Sequence, residues 1–343
     1  MNRMCDYVVV PGRYHPLHKG HIRLFEKALT YSDHLIILVG SAYSSPTTRN
    51  PFSWQFRRQM IGEALKENEI DNSRVTILPI EDFYYSDDVW VGEVKKQVHS
   101  VAKPTQSIAI AGHKKDFTSY YLDLFPGWKL FDIKAEGETV INSTDIRRDL
   151  FETGRLSDQD HRLPFSVIRL VNSWAATANY KRLEEEWKFL CEEKGSWSQA
   201  PYPPIFVTTD AVVVCSGHVL LVERGVCPGK GQYAFPGGHL NPFENIETGC
   251  LRELKEETKL DLPPAVLRGS IKEVKEFSHP LRSIRGRVIT FAHLLKLKHN
   301  PLPKVKGSDD AARAFWMPLD EVHKNQENFF EDHYQILRSF LKL

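Results

Sequence analysis

The sequence predicts an α/β chain in two parts: an N-terminal doubly wound parallel sheet, then a β-rich second part carrying one acidic helix. Three observations predict it. Short apolar runs alternate with helix-period segments over about the first 150 residues. The run Ala200-Pro201-Tyr202-Pro203-Pro204 stiffens the chain and stops any helix. A length of 343 residues suits about two domains, each large enough to bury a core.

In chain order, the expected strands of the first part are Tyr7 to Val10, Leu35 to Val39, Val75 to Pro79, Ile108 to Ala111 and Leu130 to Ile133. Helices are expected around Ile22 to Leu29, Trp54 to Leu65 and Val89 to Val98. Ligands of such sheets bind at the carboxyl ends of the strands, so the loop Gly12-Arg13-Tyr14-His15-Pro16-Leu17-His18-Lys19-Gly20-His21 draws notice. Gly20 permits close approach to the backbone, and a helix N-terminus there offers free N–H groups to an anion. His18 and His21, one turn apart, can donate to a phosphate; two histidines are too few for a metal site, and capping accounts for one of them. Ser143 and Thr144, just before Arg147 at the start of another helix, read by themselves as N-cap residues.

From Phe151 to about Pro204 the pattern is helical and charged, a connector. The second part opens with strands Ile205 to Cys215 and Val219 to Glu223 and later has Arg287 to Leu297. Between them, Glu253, Glu256 and Glu257 stand at i, i+3 and i+4 and converge on one patch of a helix whose apolar stripe is Ile246, Cys250 and Leu254. Glu257 continues that stripe inward, where a lone carboxylate is expensive. A hard divalent cation, magnesium or manganese rather than zinc, would supply the missing charge; the glutamate pair alone reads as a solvated acidic face. Arg282, Arg285 and Arg287 cluster in sequence, suited to phosphates or simply to the surface. Asp309 and Asp310 fall in a loop.

The formal net charge of +1 gives no bulk electrostatic reason to expect nucleic acid or an anionic membrane. Five scattered cysteines without a C-x-x-C pair fit a reducing cytoplasm, and the apolar run before Pro11 is too short for a signal core or a membrane span.

Two resemblances bear on function. The spacing Gly238, Glu244, Arg252-Glu253-Leu254, Glu256-Glu257 and Leu260 resembles the Nudix box, with Lys259 where the pattern has its last glycine. H-x-G-H within GRYHPLHKGH, with Ile141-Asn142-Ser143-Thr144-Asp145-Ile146-Arg147, is similar to the nucleotidyltransferase superfamily and its archaeal-type nicotinamide-mononucleotide adenylyltransferases; Asn142 replaces a serine of that pattern. Arg49-Asn50-Pro51-Phe52 and Gly112-His113-Lys114-Lys115-Asp116 look like further segments of the family.

Together the resemblances point to the bacterial bifunctional adenylyltransferase and Nudix proteins of NAD metabolism. They imply a Rossmann-like nucleotidyltransferase domain at 1–175, a connector at 176–204 and an α+β Nudix domain at 205–343. In the first domain ATP and nicotinamide mononucleotide give NAD, with His18, His21 and Arg147 as electrostatic clamps. Arg13, Gly20, Gly112, His113, Lys115, Asp116, Ser143 and Thr144 bind substrate, and Trp90 either stacks on the nicotinamide ring or packs in the core. In the second, ADP-ribose is hydrolysed. Gly237, Glu253, Glu256 and Glu257 hold Mg²⁺ or Mn²⁺, the base is Glu257 or Asp310, and Arg282, Arg285 and Arg287 hold phosphates. The rival is an adenylyltransferase for another substrate whose second domain senses a ligand. Expected partners are the small molecules named, with no nucleic acid and no membrane; a homo-oligomer stays open.

Overall fold

The computed structural model describes residues 3–114, 117–134 and 141–342. The chain divides into two compact units, Met1–Glu184 and Glu185–Leu343.

The first unit runs β1 (Cys5–Gly12), α1 (Lys19–Tyr31), β2 (Ser32–Val39), α2 (Trp54–Glu67), β3 (Val75–Pro79), α3 (Asp87–His99), β4 (Ile108–Gly112), β5 (Lys129–Asp132), α4 (Ser143–Thr153) and α5 (Phe165–Trp174). Its sheet is parallel throughout, in the order β3-β2-β1-β4-β5. Leu35 to Val39, five consecutive apolar residues, are all fully buried. A strand covered on both faces has no polar side to show, which is why it reads as a continuous run. The chain order reverses between β1 and β4, and ligands of such sheets bind outside the strand ends at that switch.

Helix α6 (Ala178–Ser196) occupies the expected connector. In the first unit Tyr180 stacks on Phe151 and its hydroxyl donates to the Leu150 carbonyl at 3.2 Å. In the second unit Glu186 is buried and accepts the Gly229 N–H at 2.9 Å. The division therefore falls inside a helix, ahead of the prolines; those prolines mark only where α6 has to end.

The second unit contains β6 (Ile205–Cys215), β7 (His218–Arg224), β8 (Tyr233–Ala234), β9 (Gly237–His239), α7 (Ile246–Thr258), α8 (Pro264–Ser270), β10 (Ile271–Phe277), β11 (Arg287–Leu297), β12 (Ala311–Pro318), α9 (Leu319–Val322) and α10 (His333–Leu341). Its mixed sheet is ordered β10-β11-β6-β7-β12, with β8 on β7 and β9 on β6. Strands β6 and β11 pair in parallel along their whole length. Cys250 and Leu254 of α7 pack on Ala211, Val213 and Leu295, fixing that helix over the sheet. Asn245 caps its start by accepting the Thr248 N–H at 2.9 Å. Lys259, where the resembling pattern has glycine, caps its end in the left-handed region at φ 49° and ψ 28°, so the turn is made without the glycine. Among the described residues no helix is long and apolar enough to cross a membrane.

Candidate active sites

In the first unit the loop after β1 turns sharply. Tyr14 takes φ 55°, lies under Gly12 where a Cβ would collide with its ring, and donates to the Val10 carbonyl at 3.1 Å. His18 then occupies the N-cap of α1, and His21 Nδ1 accepts the His18 N–H at 3.2 Å. The two imidazoles stack with centroids 3.7 Å apart. The expectation that capping accounts for only one histidine is corrected: His18 holds the cap position and His21 folds back to it, the return half of a capping box. Gly20 is also explained locally, because the space a side chain would take is filled by the His18 ring.

Arg147 reaches the same loop from α4. Its Nη1 donates to the His15 carbonyl at 2.7 Å and its Nη2 to Thr144 Oγ1 at 3.1 Å, while Ser143 Oγ donates to the Pro16 carbonyl at 3.2 Å. The N-cap of α4 is Asn142, which accepts the Thr144 N–H at 2.9 Å; Ser143 and Thr144 lie one and two residues inside, correcting their reading as caps. Burial, then Arg13 and Arg49, lower the Arg147 guanidinium to about 10. His15 is pushed well down by burial and by Arg57, Arg147 and Arg13. Cations crowded against one another this way await an anion carrying several charges.

Arg57 of α2 braces the loops of this site, and sequence reading passed over it. It is 1% exposed, and its guanidinium donates to the carbonyls of Arg13 at 2.8 Å, Gly40 at 2.6 Å and Ser41 at 3.0 Å. One side chain thus ties the loops after β1 and β2 together. A lone arginine on a helical pattern gives no sign of this, since its acceptors come from carbonyls far away in sequence.

Elsewhere in this unit, Gly112 ends β4 and leaves room for Leu122. The His113 carbonyl accepts from Ser119 Oγ at 3.3 Å, and its ring lies 3.9 Å from Asp132. Trp90 is half-buried and meets Tyr121 and Phe125 edge to face at 6.0 and 5.7 Å, so packing takes much of its surface. Lys115 and Asp116 lie outside the described residues.

In the second unit Gly237 and Gly238 of β9 pass directly beneath α7: a Cβ on Gly238 would strike the Glu253 carboxylate, and one on Gly237 would strike Thr209 and Asp210. Gly237 N–H donates to Glu257 Oε2 at 3.0 Å. Two of the three converging carboxylates, Glu253 and Glu256, are compensated by Arg252. Its Nη1 donates to Glu253 and to Glu256, each at 2.8 Å, and its Nε and Nη2 donate to Glu244 at 3.0 and 2.6 Å. Hydrogen bonds from Arg252 hold Glu244 down at about 2. Glu257 lacks such help, and burial pushes it up to about 8 against the Gly237 hydrogen bond, with Glu253 adding repulsion.

As the side chains stand, no three acidic, histidine or cysteine groups among the described residues converge closely enough to hold a cation. Arg252 takes the places on Glu253 and Glu256. The donors themselves are all oxygen, and Glu257 is a buried carboxylate awaiting positive charge, so Glu253, Glu256 and Glu257 with the Gly237 backbone fit a hard divalent cation once Arg252 yields. Asp210 of β6 joins them unannounced by any motif: buried, raised to about 6 by burial, and accepting from Thr290 Oγ1. Asp310 is exposed; its loop is stitched to the end of α7 by Lys306 N–H to the Thr258 carbonyl and Ser308 N–H to the Glu257 carbonyl.

The three arginines separate. Arg282 is buried and donates from Nε and Nη2 to Asp332 at 2.9 and 2.8 Å, which commits it to an internal ion pair and corrects its expected phosphate role. Arg287 donates from Nη1 to the Ser278 carbonyl. Arg285 alone has a buried Nε without a hydrogen-bond partner.

The family model described as Cytidylyltransferase-like matches residues 9–149 and the NUDIX domain model matches residues 206–340. The nicotinamide/nicotinic acid mononucleotide adenylyltransferase of Acinetobacter baylyi is 30% identical over 53% of this chain and 94% of its own. A bifunctional NMN adenylyltransferase/ADP ribose pyrophosphatase from Francisella tularensis superposes with a TM-score of 0.94 at 35% identity, covering 99% of both chains. The structure of such a protein from the same organism with AMP and a manganese ion superposes at 0.93 and 34% identity, again covering 99% of both chains.

Proposed function

The chain belongs to the family of bifunctional NMN adenylyltransferase/ADP-ribose pyrophosphatase proteins, and on that premise we propose how its two units divide the work. The first transfers an adenylyl group from ATP to nicotinamide mononucleotide, giving NAD and pyrophosphate; the second, dependent on a divalent metal, hydrolyses ADP-ribose to AMP and ribose 5-phosphate. One contrast carries the reading: the half-buried Arg147 of the first unit has its charge opposed by Arg13 and Arg49, whereas the second unit buries Glu257, a carboxylate that no arginine among the described residues bonds.

In the first unit the mononucleotide phosphate is itself the nucleophile, so the protein has to align and to stabilise charge. Arg147, anchored by the His15 carbonyl, meets the charge that gathers on the leaving pyrophosphate, and Arg13 supports it. His18 and His21 face the same anion from the start of α1, whose first amides and dipole add to the attraction. Arg57 keeps both flanking loops in place. Trp90, Gly112 and His113 flank the mononucleotide.

In the second unit Glu253, Glu256, Glu257 and the Gly237 backbone hold Mg²⁺, with Mn²⁺ able to replace it. Once bound, the cation offsets the carboxylates and polarises the diphosphate. Glu257 or Asp310 takes the proton from the attacking water. Glu257 is the better placed of the two, being buried beside Gly237, whereas Asp310 is exposed.

Incubation with ATP, Mg²⁺ and nicotinamide or nicotinate mononucleotide, and separately with ADP-ribose, followed by mass spectrometry, tests both activities and ranks the two mononucleotides. The expected products are NAD in the first mixture and AMP with ribose 5-phosphate in the second. ADP-ribose bound but returned intact would favour a sensing role for the second unit.

A further inference from the structure

The segment between β10 and β11 carries Arg282 and Arg285, and it is pinned at unusual expense. Arg282 and Asp332 form an ion pair with side chains 3% and 0% exposed. Beside it Glu331, held at φ 46°, accepts Ser283 Oγ at 2.6 Å and the Ile284 N–H at 3.0 Å through one carboxylate oxygen. A buried pair adds little net stability when apolar side chains would serve, so its presence asks what it holds in place.

The next residue is Arg285. Its Nε is buried without a partner, and no carboxylate among the described residues forms an ion pair with it. A surface arginine keeps its guanidinium hydrated; a buried, unbonded donor is a standing penalty that an incoming acceptor removes. Its segment is tied to the candidate centre by contacts: Asp332, which holds Arg282, precedes His333, whose Nδ1 accepts the Phe235 N–H at 2.9 Å two residues before Gly237, and the Arg285 charge is felt at Asp210, Arg224 and His239. Asp210 pairs across the sheet with Gly237, whose amide holds Glu257. The guanidinium therefore stands among the groups that surround the candidate hydrolytic centre.

We propose that Arg285 is the guanidinium that receives the substrate's diphosphate in the second unit, and that the Arg282–Asp332 pair with Glu331 is a latch that positions it. The planar fork of arginine bonds two phosphate oxygens at once, but only if its backbone is set at the right distance and angle. Ser283 and Ile284, two residues and one residue before it, are where Glu331 sets that backbone.

This rests on the hydrolase reading, and the two fail separately: a wild-type protein that leaves ADP-ribose intact defeats that reading, whereas calorimetric titration with ADP-ribose decides the present proposal whether or not turnover occurs. Arg285→Gln should weaken ADP-ribose binding at least tenfold and raise KM by a similar factor while kcat falls less. Glu331→Ala should weaken binding about threefold to tenfold. Glu331→Gln, which keeps the acceptor oxygen, should stay within about twofold of wild type. Far-UV circular dichroism and a cooperative urea transition of the second unit report that each preparation is folded. The deciding measurement is Glu331→Ala made in the Arg285→Gln background, where it should add nothing, because a latch without its arginine has nothing to position. Unchanged ADP-ribose affinity in Arg285→Gln overturns the receptor role. Independent, additive losses in the double variant overturn the latch and leave Glu331 a merely structural residue.

Discussion

The two sites handle the same kind of bond with opposite charge. In the first unit the protein supplies the cations: Arg147 is half-buried, held down to about 10 by desolvation and then by the charges of Arg13 and Arg49. In the second it supplies the anions: Glu257 is buried and raised to about 8. A site built of guanidinium groups binds phosphate directly. A site built of carboxylates repels phosphate until a cation intervenes, so it is inert without metal and tunable by it. The difference also shows in construction, because the first site is a set of loops tied together by Arg57 and the second is one helix laid over a glycine pair.

The largest expected effect breaks the first site alone. Arg147→Gln should lower adenylyl transfer about a thousandfold, the loss typical of removing a donor to developing charge, while ADP-ribose hydrolysis stays within twofold. Loss of both activities in a folded protein would show that the sites are not independent. Next, Glu257→Gln should lower hydrolysis by about a hundredfold or more, as removing a metal ligand or base does, with NAD synthesis unaffected. Near-normal hydrolysis would sink the role assigned to that carboxylate.

The metal-free protein gives a smaller signature that sharpens the contrast. The folded protein keeps Glu257 protonated up to about 8, whereas the unfolded chain ionises it near 4.5. The stability from that neutral group is therefore fully present below 4.5 and is lost as pH rises through 8. Asp210, raised to about 6, adds a change of the same sign at lower pH. Urea midpoints of the second unit in EDTA should fall over this window, and Glu257→Gln should flatten the part above pH 6. A profile already flat in the wild type would contradict the burial argument. Smallest is Lys259→Gly. Relief of the left-handed strain, about 1–2 kcal/mol, exceeds the chain-entropy cost of glycine, about 0.5–1 kcal/mol. A gain of roughly 0.5 to 1 kcal/mol by urea denaturation is expected, with both activities unchanged.

Much of this was legible beforehand. Strand β3 (Val75–Pro79), β6 (Ile205–Cys215) and β11 (Arg287–Leu297) lie where the β-branched and apolar residues concentrate between turn residues. Helix α7 and its inward Glu257 followed from i, i+4 spacing. The division inside α6 was not legible, since the prolines at 201–204 are a stronger local signal than the docking of Tyr180 on Phe151. Helices α9 (Leu319–Val322) and α10 (His333–Leu341) carried no assignment at all.

The sequence by itself determined the fold classes, the two chemistries and the residue types that carry them, because periodicity and fixed motif spacing are properties of neighbours along the chain. Only the tertiary structure decided which charges are compensated. Arg252 shields three glutamates, Arg282 is taken by a residue fifty positions away, Arg57 serves three distant carbonyls, and Asp210 is brought beneath Glu257 by the pairing of β6 with β9. Whether a charged group is free to act depends on what packs against it from elsewhere in the chain, and burial and Coulomb energy are set by distance in space.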